Sequence, residues 1–131
     1  MSGENVEIVR AAIGAFNDGD FDRVFTYLAA DLELDLSRAV GPISGVYTLD
    51  QTRAVIDELA GTWDSFRIEP DEFIEVGEQV VVPWTYHVSG RDGIEVRARS
   101  TWAFTMRDGA VARVCLYQER ADALEAARLQ G

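Results

Sequence analysis

The sequence predicts an α+β fold in which helices pack on one face of a curved antiparallel sheet. Three observations carry this. Apolar residues recur at helical spacing near the start of the chain, and period-two alternation takes over at 31–36 and again after residue 65. The late segments are separated by short Gly- and Asp-containing breaks that read as hairpin turns. Helices followed by a meander of strands is the α+β order.

The elements follow in turn. Asn5–Asn17 places Val6, Ile8, Val9, Ala12, Ile13 and Phe16 on one helical stripe, with Gly19 as the stop. Asp20 caps a second helix, Phe21–Leu28. Asp31–Leu36 alternates carboxylates with leucines and reads as a strand. Ser37–Thr48, with Gly41-Pro42 and Gly45, reads as a loop, and Asp50 opens a third helix to about Leu59. Four strands follow: Ser65–Val76, Gln79–Ser89, Ile94–Arg107 and Ala110–Glu119. A last helix, Ala121–Leu129, completes the order α-α-β-α-β-β-β-β-α.

Composition narrows the function classes. The 131 residues suit a single domain spanning 1–131. One cysteine, Cys115, excludes an internal disulfide framework, and a single histidine leaves no zinc-type cluster, so neither metal nor cofactor is expected. Twelve basic against 23 acidic residues give a formal net charge of −11, the wrong sign for nucleic acid or an anionic membrane. Met1–Arg10 has no signal-peptide pattern, which predicts a cytoplasmic protein.

The pattern Ala15-Phe-Asn-Asp-Gly-Asp20 after the first helix resembles the nuclear transport factor 2-like superfamily. Ala30-Asp-Leu-Glu-Leu-Asp-Leu-Ser37, Gly45-Val-Tyr47 and Phe104-Thr-Met-Arg-Asp-Gly109 extend the resemblance over nearly the whole chain. Tyr117-Gln-Glu-Arg-Ala-Asp-Ala-Leu-Glu-Ala126 is most similar to the end of the SnoaL-like, polyketide cyclase-like branch. The resemblance implies a cone of bent sheet wrapped around the first helix, as in cystatin-like folds, open at one end to an apolar pocket. It also implies homodimers formed through the outer sheet face. It does not imply one reaction, because the superfamily holds isomerases, cyclases, dehydratases, hydrolases and non-catalytic carriers.

Alternation across the late hairpins predicts which side chains face that pocket. A symmetric turn at Gly90–Gly93 sets Thr85 and His87 on the same face as Ala98 and Val96. A three-residue turn at Arg107-Asp108-Gly109 adds Ser100, Trp102, Phe104, Val114, Leu116 and Gln118 to it. Leu34 and Leu36 from the first strand, with Tyr47 and Trp63, complete the expected ligand-binding wall. The other face carries Trp84, Tyr86, Arg97, Arg99, Arg113 and Tyr117, a mixture of aromatics and arginines that suits a dimer interface.

His87 is the one side chain with an ordinary pKa near neutrality, so it is the candidate acid/base; the competing reading is a strand histidine bonded to a neighbour. By the resemblance, Asp35 at the end of the first strand lies close to where the superfamily often keeps a catalytic carboxylate, but it alternates away from the leucines, as part of a solvated stripe with Asp31 and Glu33. Glu119 precedes the last helix, where by the resemblance relatives usually have Asp; a carboxylate there can reach a substrate at the cone's mouth, or cap the helix's free N–H groups, which is the favoured reading. Arg38 can pair with an anionic substituent at the mouth, though a solvated surface Arg is the ordinary case. By the resemblance, counting from the matched motifs puts Leu36, Ala12 and Trp102 where ketosteroid isomerases keep their base and oxyanion donors, which disfavours that activity.

Three readings remain. The first is a SnoaL-like domain binding a small, largely apolar organic molecule. The second is a cofactor-free cyclase, isomerase or dehydratase working by proton transfer, with His87 as acid/base. The third is a dimerisation module whose cone is filled by its own side chains.

Overall fold

A computed structural model describes residues 3–39, 44–90 and 92–130. Its elements are α1 (Glu4–Asn17), α2 (Phe21–Thr26), β1 (Leu28–Asp35), β2 (Val46–Tyr47), α3 (Leu49–Thr62), β3 (Ser65–Pro70), β4 (Ile74–Val76), β5 (Gln79–Ser89), β6 (Glu95–Arg107), β7 (Ala110–Tyr117) and α4 (Arg120–Gln130). The fold is α+β, with one curved sheet ordered β2-β1-β7-β6-β5-β3 and with β4 also on β5. Among the described residues the pairings are antiparallel except β1 with β7, which runs parallel.

Local chemistry fixes the element ends. The Asp20 side chain accepts from the Arg23 amide at the start of α2. The third helix begins before Asp50: Thr48 and Gln51 form a reciprocal capping box, each side chain bonded to the other's backbone N–H. The second helix stops at Thr26, and Leu28 instead pairs with Val111 as the first residue of β1. The expected strand Ser65–Val76 is two strands. It stops at Pro70, which has no N–H to donate, and the chain leaves the ladder through a bond from the Asp71 amide to the Pro83 carbonyl. Val46–Tyr47 adds a short edge strand against Leu34 and Asp35, and Gly41-Pro42 lie outside the described residues.

The Asn17 side chain behaves like a neighbouring strand. Its amide donates to the Ile68 carbonyl and accepts from the Ile68 N–H, both at 2.8 Å, which ties the end of α1 to β3.

Two apolar cores sit on opposite sides of the sheet. The larger lies between α1 and the concave face, around Val9, Ile13, Leu34, Val82, Trp84 and Phe104. The smaller lies under α4 on the convex face, where Ala123 and Ala127 meet Val81, Ala103, Cys115 and Tyr117.

The hairpins decide which face each strand shows. Asp108 and Gly109 both have positive φ (53° and 79°) and form a two-residue turn, not the three-residue turn expected. A bulge then leaves Ala112 unpaired between Met106↔Val111 and Thr105↔Arg113. The shorter turn reverses the face and the bulge reverses it back, so β6 and β7 face as expected.

The β5–β6 hairpin has no such compensation. Gly90 donates to the Ile94 carbonyl, Gly93 has φ 75°, and Thr85 pairs with Arg99 where Ala98 was expected. That one-residue slip inverts β5. Thr85 and His87 therefore leave the concave face, and Trp84 and Tyr86 enter it. Tyr117, expected on an open dimer face, is covered by α4.

Candidate functional site: the apolar cone

The concave face and the helices over it form a cavity of about 570 Å³ that is partly open to solvent. Helix α1 contributes Ala12, Ile13 and Phe16 through the stripe that makes it amphipathic, and α3 contributes Thr52, Val55, Ile56 and Leu59. Leu32, Leu34 and Leu36 face inward because β1 alternates, sending Asp31, Glu33 and Asp35 to the other side. Strands β5, β6 and β7 supply Trp84, Tyr86, Val88, Ser100, Trp102, Phe104, Val114 and Leu116.

Of the residues expected in this wall, Leu34, Leu36, Trp63, Ser100, Trp102, Phe104, Val114, Leu116 and Gln118 line the cavity. Tyr47 packs against the larger core without reaching the lining, and Thr85 and His87 are absent from it. The His87 ring lies 3.1 Å from the Glu69 carboxylate, half-exposed on the convex side, which is the strand-histidine arrangement. Its expected place in the cone is corrected by the register of β5. Trp84, Tyr86 and Val88 were the corresponding omissions; the signal was the odd length of the loop closed by Gly90 and Ile94.

Polar atoms in the cone are few and mostly engaged. The Ser100 hydroxyl accepts from the Trp84 indole at 2.8 Å and from the Trp102 indole at 3.2 Å. Those rings lie 4.7 Å apart between centroids, and Trp84 meets Phe104 edge-on at 6.3 Å. Thr52 donates back to the Thr48 carbonyl, and Gln118 donates to the Arg38 carbonyl at 2.8 Å. Tyr86 stacks on Phe66 at 5.9 Å, and its hydroxyl makes no hydrogen bond to another described residue. Arg99 touches the cavity, yet its guanidinium is held by Asp71.

Outside the cone, at the β1–β7 junction, lies a connected charge group. Asp35 accepts from the Ser37 hydroxyl at 2.6 Å, the Ser37 amide and Arg113. Burial pushes its carboxyl up, but the Ser37 bonds and the charges of Arg113 and Arg38 outweigh that and hold it below the usual carboxylate range. The expected solvated residue is thus buried. Arg38 lies over the Tyr117 ring and reaches the Cys115 sulfur at 3.2 Å, so its cation is committed to the protein. Burial, with Cys115 beside it, pushes the Tyr117 phenol up. Glu119 is exposed; its carbonyl accepts from the Ala123 amide, but its side chain makes no capping bond to a described residue.

Among the described residues, no group of three or more His, Cys, Asp or Glu side chains is placed to hold a metal ion. No described helix is long and apolar enough to cross a membrane.

Comparison with known proteins agrees with this geometry. The chain is similar in structure to TerC co-crystallised with polyporic acid, at 23% identity and a TM-score of 0.79, covering 95% of this chain and 98% of that one. It is similar to an NTF2-like protein of unknown function from Burkholderia pseudomallei K96243, at 26% identity and a TM-score of 0.78, covering 95% and 97%. It also resembles a candidate polyketide cyclase from Xanthomonas campestris pv. campestris, at 19% identity and a TM-score of 0.70, covering 95% and 96%. No curated protein matches it. The SnoaL-like domain family matches residues 9–114, and the chain belongs to that family.

Proposed function

We propose that the cone binds a small, flat, largely apolar organic molecule. The observation that carries this is the cavity itself. Small-molecule sites are typically concave, mostly apolar clefts with a few placed polar groups. A space of about 570 Å³ walled by leucines, tryptophans and phenylalanines lies in the range of ligand sites and offers water few partners. The same space counts against a module filled by its own side chains.

The test is a panel of flat polyketide-like and steroid-like compounds followed by tryptophan fluorescence. The Ala12→Trp variant, which puts an indole into the space from α1, is the control. Saturable quenching in the wild type, with at least tenfold weaker binding in a folded Ala12→Trp protein, is the expected outcome. Equal affinities in the two proteins contradict it.

Cofactor-free proton transfer is the second reading, and Tyr86 is the observation that favours it. Its hydroxyl has no hydrogen bond to another described residue, and the side chain lines the cone. The proposal also includes a cytoplasmic protein that pairs with a second copy across the outer sheet face. Arg97 and Arg99 are exposed there, and Arg113 is held by Glu33 and Asp35. A sedimentation mass near 14.5 kDa at micromolar concentration contradicts the pairing.

A further inference from the structure

We infer that the Ser100 hydroxyl is an obligate hydrogen-bond donor into the cone, and that it selects flat ligands carrying an acceptor oxygen. This rests on the reading of the cone as a binding site. A serine hydroxyl has one proton and two acceptor positions. Both acceptor positions of Ser100 are taken, by the Trp84 and Trp102 indole N–H groups at 2.8 and 3.2 Å. Neither indole can do anything but donate, so the oxygen is fully loaded.

The proton is what remains to be used. No described residue accepts it, and Ser100 is 8% exposed in the wall of the cavity. A donor held in apolar surroundings without a partner is costly, and two donors on its own oxygen strengthen it further. A ketone, quinone or phenolate oxygen relieves that cost. A ligand N–H or ammonium meets an oxygen with no lone pair left to offer. The arrangement is rigid, because Trp84 and Ser100 are paired across β5 and β6 and the indoles lie against each other. Specificity of this kind comes from leaving a buried polar group unpaired when the wrong ligand enters.

The probes are 9-fluorenone and fluorene, which share a three-ring frame and differ by one carbonyl. Dissociation constants come from tryptophan quenching, and the infrared C=O band of bound 9-fluorenone reports the hydrogen bond. The expected result is roughly tenfold tighter binding of the ketone. Its band should lie below that of the ketone in dry hydrocarbon solvent. Ser100→Ala removes the hydroxyl and frees the two indole N–H groups that it accepted from, so the bound-ketone band leaves its wild-type position. Trp102→Phe keeps the hydroxyl, removes one of its loads and moves the band part of the way back, which covers the case in which Ser100→Ala does not fold.

Equal affinities for the two probes overturn the inference and leave the binding site standing. So does a bound-ketone band at the solvent position, or one unchanged in whichever variant folds. Failure of both probes to bind overturns the binding reading and this inference with it.

Discussion

Asp35 is a carboxylate whose surroundings outweigh its burial. The ion and hydrogen bonds from Ser37, Arg113 and Arg38 hold its folded value below that of the unfolded chain. The folded state therefore binds fewer protons at Asp35 than the unfolded state does. Its stabilisation is complete above pH about 4 and is lost as pH falls through the folded value. Asp35→Asn should cost about 1–3 kcal/mol at pH 7, measured by urea unfolding, with the gap to wild type narrowing as pH falls from 7 to 3. A gap that stays constant between the two pH values contradicts the assignment. Alternation in Asp31–Leu36 made it legible that Asp35 points away from the leucines. Its burial was not, because that depends on Arg113 and Cys115, which lie far along the chain and meet β1 through a parallel pairing no local signal announces.

At the scale of elements, the existence and type of the main helices and strands were readable from periodicity, while facing depended on turn lengths. Asp108-Gly109 satisfies a two-residue turn with positive φ at both positions. Gly109→Ala should cost about 1 kcal/mol and lower Tm by a few degrees in a thermal scan. Asp108→Asn should be close to neutral. A neutral Gly109→Ala contradicts the turn. The Ala112 bulge had no distinctive residue to mark it, and the facing of β6 and β7 came out right because turn and bulge cancel. At Gly90–Ile94 nothing cancels, and one residue of loop moved His87 from the cone to the convex face. Accordingly, His87→Gln should leave the affinity of any cone ligand within about twofold, the scatter expected of a surface substitution. A tenfold loss in that variant, measured by tryptophan quenching, contradicts the β5 register.

For the molecule as a whole, the sequence contained the cone in outline. The leucines of β1, the stripe of α1 and the aromatics of β6 all line one cavity. What periodicity could not supply was the β5 wall and the convergence of two indoles on Ser100. That convergence requires Trp84 and Ser100 to face each other across a hairpin whose loop length sets the partner. All three tryptophans of the chain, Trp63, Trp84 and Trp102, stand in the cavity wall. This gives ligand binding in the cone a direct readout, because each indole N–H has its own proton–nitrogen NMR signal. The decisive measurement is a titration of labelled protein with 9-fluorenone. The cone reading predicts that all three indole signals move together and saturate, while the His87 ring signals stay still. Indole signals that remain fixed up to the solubility limit of the probe, or His87 signals that move in their place, would contradict it.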